Sequence, residues 1–210
     1  LEVVTPEGSV VDSSEVRGSD EAELDQNGVL LDVLKQYGMW TGDWTILDQE
    51  WARVAAVADY PLSPGFVDGT SGLLHNCREY WERHRLHGIE PGFELIYQVM
   101  VSIGLGSIAP LAAARGHRDA ADRWAEASRR LRMATLHHPV HGLVSDGRLI
   151  KRKRLDGSVQ EQAVALPEAQ LPAGVPLAGP DAHRLNPDTC SILPVAQGFV
   201  EAGDPLARRT

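Results

Sequence analysis

Two cysteines in 210 residues, Cys77 and Cys190, are too few and too irregularly placed for a disulfide framework or a zinc ribbon. Aromatic residues make up 6% of the chain. Uninterrupted apolar runs stay far short of the about 18 residues that would suggest a membrane-spanning helix. The 20 basic residues are outnumbered by 29 acidic ones, and a net charge of −9 disfavours a nucleic-acid or anionic-membrane partner for the chain as a whole. The start, Leu1-Glu2-Val3-Val4-Thr5-Pro6, lacks the basic segment and apolar core of a signal peptide, so the expectation is a cytoplasmic protein. No G-x-S-x-G, P-loop or dinucleotide-binding glycine pattern occurs, which leaves Ser/His, Cys/His and nucleotide chemistry without support. What is present is the composition of a globular protein, 43% hydrophobic and 23% charged.

Hydrophobic spacing predicts helices in pairs. One starts at Gly28, with Val29, Leu30, Val33, Leu34 and Tyr37, and ends at Met39-Trp40 before a Thr41-Gly42-Asp43 turn. A second opens at Thr45, with Asp48 as a capping-box partner, and lines up Leu47, Trp51, Val54 and Ala58. The Pro/Gly-rich connector from Asp59 to Leu73 is long for a helix–helix loop. A third helix is expected from Gly92 or Phe93 to Arg115, weakened or kinked by Gly104, Gly106 and Pro110, whose small residues would permit close helix contact. A fourth runs from Arg118 to His137, with Trp124, Ala127, Leu131 and Ala134 on one face. Asp146-Gly147 and Asp156-Gly157 mark two short strand pairs. Residues 166–187 hold five prolines and read as loop, before a last helix from Pro187 to Glu201. The architecture is therefore all-α, with a β-hairpin excursion over about residues 143–187.

Glu82 stands beside Trp81 and Tyr80. A carboxylic acid against an aromatic wall is partly desolvated, which raises its pKa and suits it to protonating a leaving group. The competing reading is a solvated Glu on a helix flank. His84/His87 and His138/His141 have i, i+3 spacing, but no third ligand stands at a recognisable distance, and rim histidines are the better reading over a metal site. The cluster Arg148, Lys151, Arg152, Lys153 and Arg154 reads as a solvated hairpin, or one salt-bridged to the acidic surface, rather than as a nucleic-acid patch. The chain opens on Leu1 rather than Met and closes just after Asp204-Pro205, a helix start with six residues left to run. The expectation is a piece of a longer polypeptide.

The stretch Val67-Asp68-Gly69-Thr70-Ser71-Gly72-Leu73, then Tyr80-Trp81-Glu82-Arg83, then the helix after Phe93 and Gly116 to Trp124, resembles glycoside hydrolase family 15. That family holds the glucoamylases and bacterial trehalase-like and dextranase-like enzymes. Leu24-Asp25-Gln26-Asn27-Gly28-Val29-Leu30-Leu31-Asp32 is similar to its "QLDxxGxxLDAL" helix start, and Asn186-Pro187-Asp188-Thr189-Cys190-Ser191 with Asp204-Pro205-Leu206-Ala207 is similar to a later stretch. The resemblance implies an (α/α)6 barrel of helical hairpins, of which this chain would supply about half. It implies an inverting hydrolase of an α-linked oligosaccharide or glycoside that needs no cofactor. Glu82 would be the general acid, Trp81 and Tyr80 would stack on sugar, and Asp25 and Arg83 would bind hydroxyls. Arg83 replaces a second Glu that glucoamylases usually carry there, which weakens an α-1,4-glucan assignment. Inversion needs a second carboxylate about 6.5–9.5 Å from the first. That base would lie in the rest of the parent chain; Glu90, Glu94 and Asp188 are the candidates within this one. Apolar faces such as Leu47, Trp51, Val54, Trp124 and Leu131 would then lack part of their neighbours. A non-catalytic helical-hairpin scaffold or sugar-binding module is the alternative, and an α/α-barrel epimerase or lyase a third.

Overall fold

A computed structural model of the chain describes residues 3–11, 19–80, 83–85, 88–163, 185 and 189–210. About 53% of the described residues are helical, and the remainder includes a small antiparallel sheet, so the protein is mostly α. The helices are α1 (Leu24–Thr41), α2 (Thr45–Gln49), α3 (Trp51–Asp59), α4 (Leu95–Ala114), α5 (Arg118–His137), α6 (Leu193–Ala196) and α7 (Pro205–Arg209). The strands are β1 (His75–Asn76), β2 (Gly92–Glu94), β3 (Val144–Ser145), β4 (Arg148–Leu149) and β5 (Arg152–Arg154).

Three long helices make the framework. α4 lies between α1 and α5 and packs extensively on both. It has 20 residues and is apolar enough by composition to cross a membrane, yet 72% of it is buried inside the protein, as befits a central core helix. It runs unbroken through Gly104, Gly106 and Pro110. Burial against two neighbours outweighs the about 3 kcal/mol that an interior proline costs an isolated helix. The glycines set the α1–α4 contact: a Cβ on Gly104 would strike the backbone of Gly28, and one on Gly28 would strike the carbonyl of Met100.

α5 has the predicted bounds, and Trp124, Ala127 and Leu131 on its inner face are buried. The second predicted helix is broken in two at Glu50. No side chain of Thr45 caps it; Asp43 Oδ1 accepts from the Thr45 backbone N–H at 2.9 Å instead. α1 begins at Leu24, four residues ahead of Gly28, and ends on Gly42, whose φ of +73° supplies the left-handed cap. The last predicted helix is interrupted: a 3-10 turn at Thr189–Ile192 leads into four residues of α6, which Gly198 at φ +70° closes off, and Pro187 lies outside the described residues. Asp204 does cap α7, accepting from the Leu206 N–H at 2.7 Å.

β1, β2 and β5 form one antiparallel sheet with β2 in the middle, His75 opposite Phe93 and Glu94 opposite Arg152. β2 occupies residues expected to open the third helix. β3 and β4 form the hairpin around Asp146-Gly147. Leu47, Val54, Trp124 and Leu131, expected to lack neighbours, are buried among one another and against α1 and α4. Trp51 is half-buried, its ring stacked on His117 at 4.1 Å. The exposed apolar side chains are different ones and include Val29, Val33, Tyr37 and Trp40 on the outer face of α1, with Trp40 89% exposed.

Candidate functional site

The first turns of α1 and α4 meet where Asp25 acts on Tyr97, and Cys77, Arg78 and Tyr80 reach the same region through Asp20, Glu23 and Met100. The sequence explains the meeting. β2 leads directly into α4, so Glu94 and Leu95 are fixed to the sheet; the Leu95 N–H donates to the Lys151 carbonyl at 2.7 Å. On the other side, the Cys77 N–H donates to Asp20, Asn76 Nδ2 donates to the Ala22 carbonyl at 2.8 Å, and Arg78 forms a buried ion pair with Glu23. The 76–90 loop is thus tied to the start of α1 and to β5 at once.

Within the loop, Arg78 bridges to His84 and the Glu79 N–H donates to the Arg83 carbonyl at 2.9 Å, a tight antiparallel turn. Trp81 and Glu82 fall between these residues in sequence and lie outside the described residues. Tyr80 packs beside Met100 and Cys190, and burial, followed by the charge of Asp25, raises its pKa. Arg83 is an ion-pair partner of Glu79, with Nε–Oε1 at 3.0 Å.

Asp25 is 5% exposed. Burial, reinforced by the neighbouring charge of Glu23, pushes its carboxyl up to about 7, against the pull of its own and the Gln26 backbone N–H groups and of Arg78. A carboxyl at that value takes up and gives back a proton near neutrality, which is what acid–base chemistry needs. Tyr97, on the first turn of α4, has a buried hydroxyl close to the Asn76 side chain; burial, then Asp25 and Glu94, raise its pKa well above the usual value against the pull of Asn76.

The basic cluster corrects the solvated-hairpin expectation. Lys151 and Arg152 have no solvent exposure, and Lys153 is 7% exposed. Lys151 Nζ pairs with Glu79 at 2.5 Å, both without exposure. Burial works to raise the Glu79 pKa, but Lys151 and Arg83 outweigh it and hold this carboxyl below its ordinary value. Glu94 behaves oppositely: burial pushes it up to about 8 in spite of Lys151 and Arg152. The difference is contact: Glu79 meets Lys151 and Arg83 within 3.0 Å, whereas the nearest Arg152 nitrogen is 3.4 Å from Glu94. Of the candidate bases, Glu90 pairs with Arg154 at 3.0 Å in a half-exposed position, Glu94 is sealed in the interior, and Asp188 lies outside the described residues.

Among the described residues no three His, Cys, Asp or Glu side chains gather as a metal site. His84 faces Glu21 at 3.6 Å, and His138 and His141 stack on each other at 5.1 Å beyond the end of α5; His87 lies outside the described residues. A separate cleft of about 570 Å³, with Arg132, His137, Phe199, Glu201 and Arg209 among its walls, shares none of the residues around Asp25.

Sequence reasoning named Asp25, Tyr80 and Glu94 but missed the partnership of Glu79 and Tyr97 with them. No local signal marked them, because Arg78-Glu79 stands in a run of charged and polar residues from His75 to Arg85 that reads as an exposed loop. No family model matches the chain, and no curated protein or solved structure matches it.

Proposed function

We propose that the protein is a glycoside hydrolase, or the part of one, that cleaves an α-linked oligosaccharide or glycoside with inversion. Its helices would belong to an (α/α)6 barrel completed by the rest of the parent chain. The observation that carries this reading is Asp25. A buried carboxyl pushed up to about 7 lies within electrostatic reach of Tyr80, the residue that precedes Trp81-Glu82 in the sequence. In this reading Glu82 donates the proton to the glycosidic oxygen, Trp81 and Tyr80 stack on the sugar, and Asp25 binds a hydroxyl in whichever protonation state the ligand requires. Arg83, held by Glu79, would contribute to hydroxyl binding from its exposed edge.

The experiment is Glu82→Gln in the intact parent polypeptide. The variant keeps size and hydrogen bonding and cannot deliver a proton. Turnover of glycosides with poor leaving groups should fall by about 10²–10⁴, and activated aryl glycosides should suffer much less. Equal small losses on both substrates would refute the assignment.

One observation favours a second reading. Tyr80 and Tyr97 both lie within electrostatic reach of Asp25, and tyrosine, with histidine, is what an α/α-barrel epimerase or lyase would place at its mouth. An epimerase would release no new reducing end, and a lyase would leave an unsaturated sugar at the cleaved bond where a hydrolase adds water, so a product assay separates the readings.

A further inference from the structure

We propose that Arg152 is a positioning residue that clamps both limbs of the 76–90 loop and thereby sets where Tyr80 packs against Met100 and Cys190. The inference rests on the reading above, in which Tyr80 belongs to the glycosidase site.

A buried guanidinium has five N–H donors in a rigid fork and no way to lose its charge. Arg152 has no solvent exposure and uses that fork almost entirely on main chain. Its two terminal nitrogens donate to the Asn76 carbonyl at 2.8 Å, the Arg78 carbonyl at 2.9 Å and the Glu90 carbonyl at 2.6 Å. Asn76 and Arg78 stand where the loop leaves β1, and Glu90 where it returns to β2. One side chain therefore closes the loop at its base. The remaining contacts are longer, to Glu94 Oε2 at 3.4 Å and to Gln160 Oε1 at 3.3 Å.

The neighbouring residues extend the clamp. Lys151 reaches Glu79, which in turn accepts from the backbone and side chain of Arg83. Gln160 spans from Arg152 to the Gly88 carbonyl, accepting through Oε1 and donating through Nε2 at 3.1 Å. An Arg held only for the ion pair would place its best hydrogen bonds on Glu94. Here the shortest go to three carbonyls of one loop. The excursion that carries β5 is a buttress for that loop from behind.

The test is native-state hydrogen exchange on the 210-residue chain, with Arg152→Lys and Gln160→Ala, and Arg129→Ala on the exposed face of α5 as control. In Arg152→Lys the amides of Glu79, Gly88 and Ile89, all hydrogen-bonded inside the loop, should exchange at least about tenfold faster, because a lysine cannot reproduce the fork. Amides of α4 and α5 should keep their protection. Gln160→Ala should produce a smaller change in the same direction at Gly88 and Ile89. Loop and helix amides changing together, or not at all, overturns the proposal. If Arg152→Lys does not fold, unchanged loop exchange in Gln160→Ala overturns it instead.

The second arm is hydrolysis of 4-nitrophenyl α-glucoside by the parent protein. Arg152→Lys should raise KM at least about tenfold, because Tyr80 is a sugar-stacking residue, and leave kcat much less affected. Loop opening with unaltered KM overturns the positioning role. Absence of hydrolysis in the wild-type protein counts against the glycosidase reading alone, and the exchange experiment still decides the clamp.

Discussion

Glu94 of β2 stands directly opposite Arg152 of β5, both side chains fully buried, yet the carboxyl is pushed up to about 8. The cation beside it has given its short hydrogen bonds to backbone carbonyls. Burial therefore outweighs the two cations, Lys151 and Arg152, and favours the protonated form of Glu94. Burial acts in the same direction on Asp25, pushed up to about 7.

The first prediction follows by linkage. Both acids bind protons more tightly folded than unfolded, so their stabilisation is present below about pH 4 and is lost as pH rises through about 7 for Asp25 and about 8 for Glu94. Glu79, held below its ordinary value, acts in reverse and loses its contribution in acid. Asp25→Asn should be more stable than wild type at pH 8.5, on the order of 2–4 kcal/mol, and the gain should be clearly smaller at pH 5 and vanish only near pH 4. Urea melts at these pH values check this; a constant difference would show that Asp25 titrates normally.

The second concerns the α1–α4 contact. Gly28→Ala and Gly104→Ala each put a methyl group into backbone rather than into a yielding side chain. Each should cost about 1–3 kcal/mol or more, read as a lower urea midpoint with an unchanged slope. Gly42→Ala, with open space around it but φ at +73°, should cost only about 1–2 kcal/mol from backbone strain.

Much of this framework was legible beforehand, for identifiable reasons. α5 has a polar face and an apolar one, so its period fixed both ends. The Asp146-Gly147 turn was legible because Asp146 takes a positive φ, 50°, beside a glycine at 72°. The break at Glu50 carries no proline or glycine to announce it. The burial of Lys151 and Arg152 was hidden because their partners Glu79 and Glu94 lie more than fifty positions away, brought close only by the sheet. A basic run looks solvated until the register that pairs Arg152 with Glu94 is known.

The third prediction tests the Lys151–Glu79 pair. Lys151→Met leaves Glu79 buried with Arg83 alone and should cost about 3–5 kcal/mol. The double variant Lys151→Met/Glu79→Gln removes both charges and should recover most of that loss, although Arg83 then lacks its partner. A double-mutant cycle by chemical denaturation gives the coupling; simple additivity would mean that the two groups do not interact.

The fourth concerns the outer face of α1. Val29, Val33, Tyr37 and Trp40 follow one another at 4-4-3 spacing, a helical stripe, and all four are exposed while the opposite face of the same helix is core. A helix with apolar residues on both sides keeps part of its hydrophobic surface in water, and contiguous patches of a few hundred Å² favour association. Folding does not depend on these side chains, because Leu31 and Leu34 on the inner face make the packing contacts. Val33→Lys with Trp40→Gln should therefore leave the urea midpoint within about 0.5 kcal/mol of wild type. It should also lower light scattering and dye binding at high protein concentration. If scattering is unchanged, the stripe is not what drives association; if stability falls by several kcal/mol, Trp40 and Val33 pack in solution in a way that their exposure contradicts.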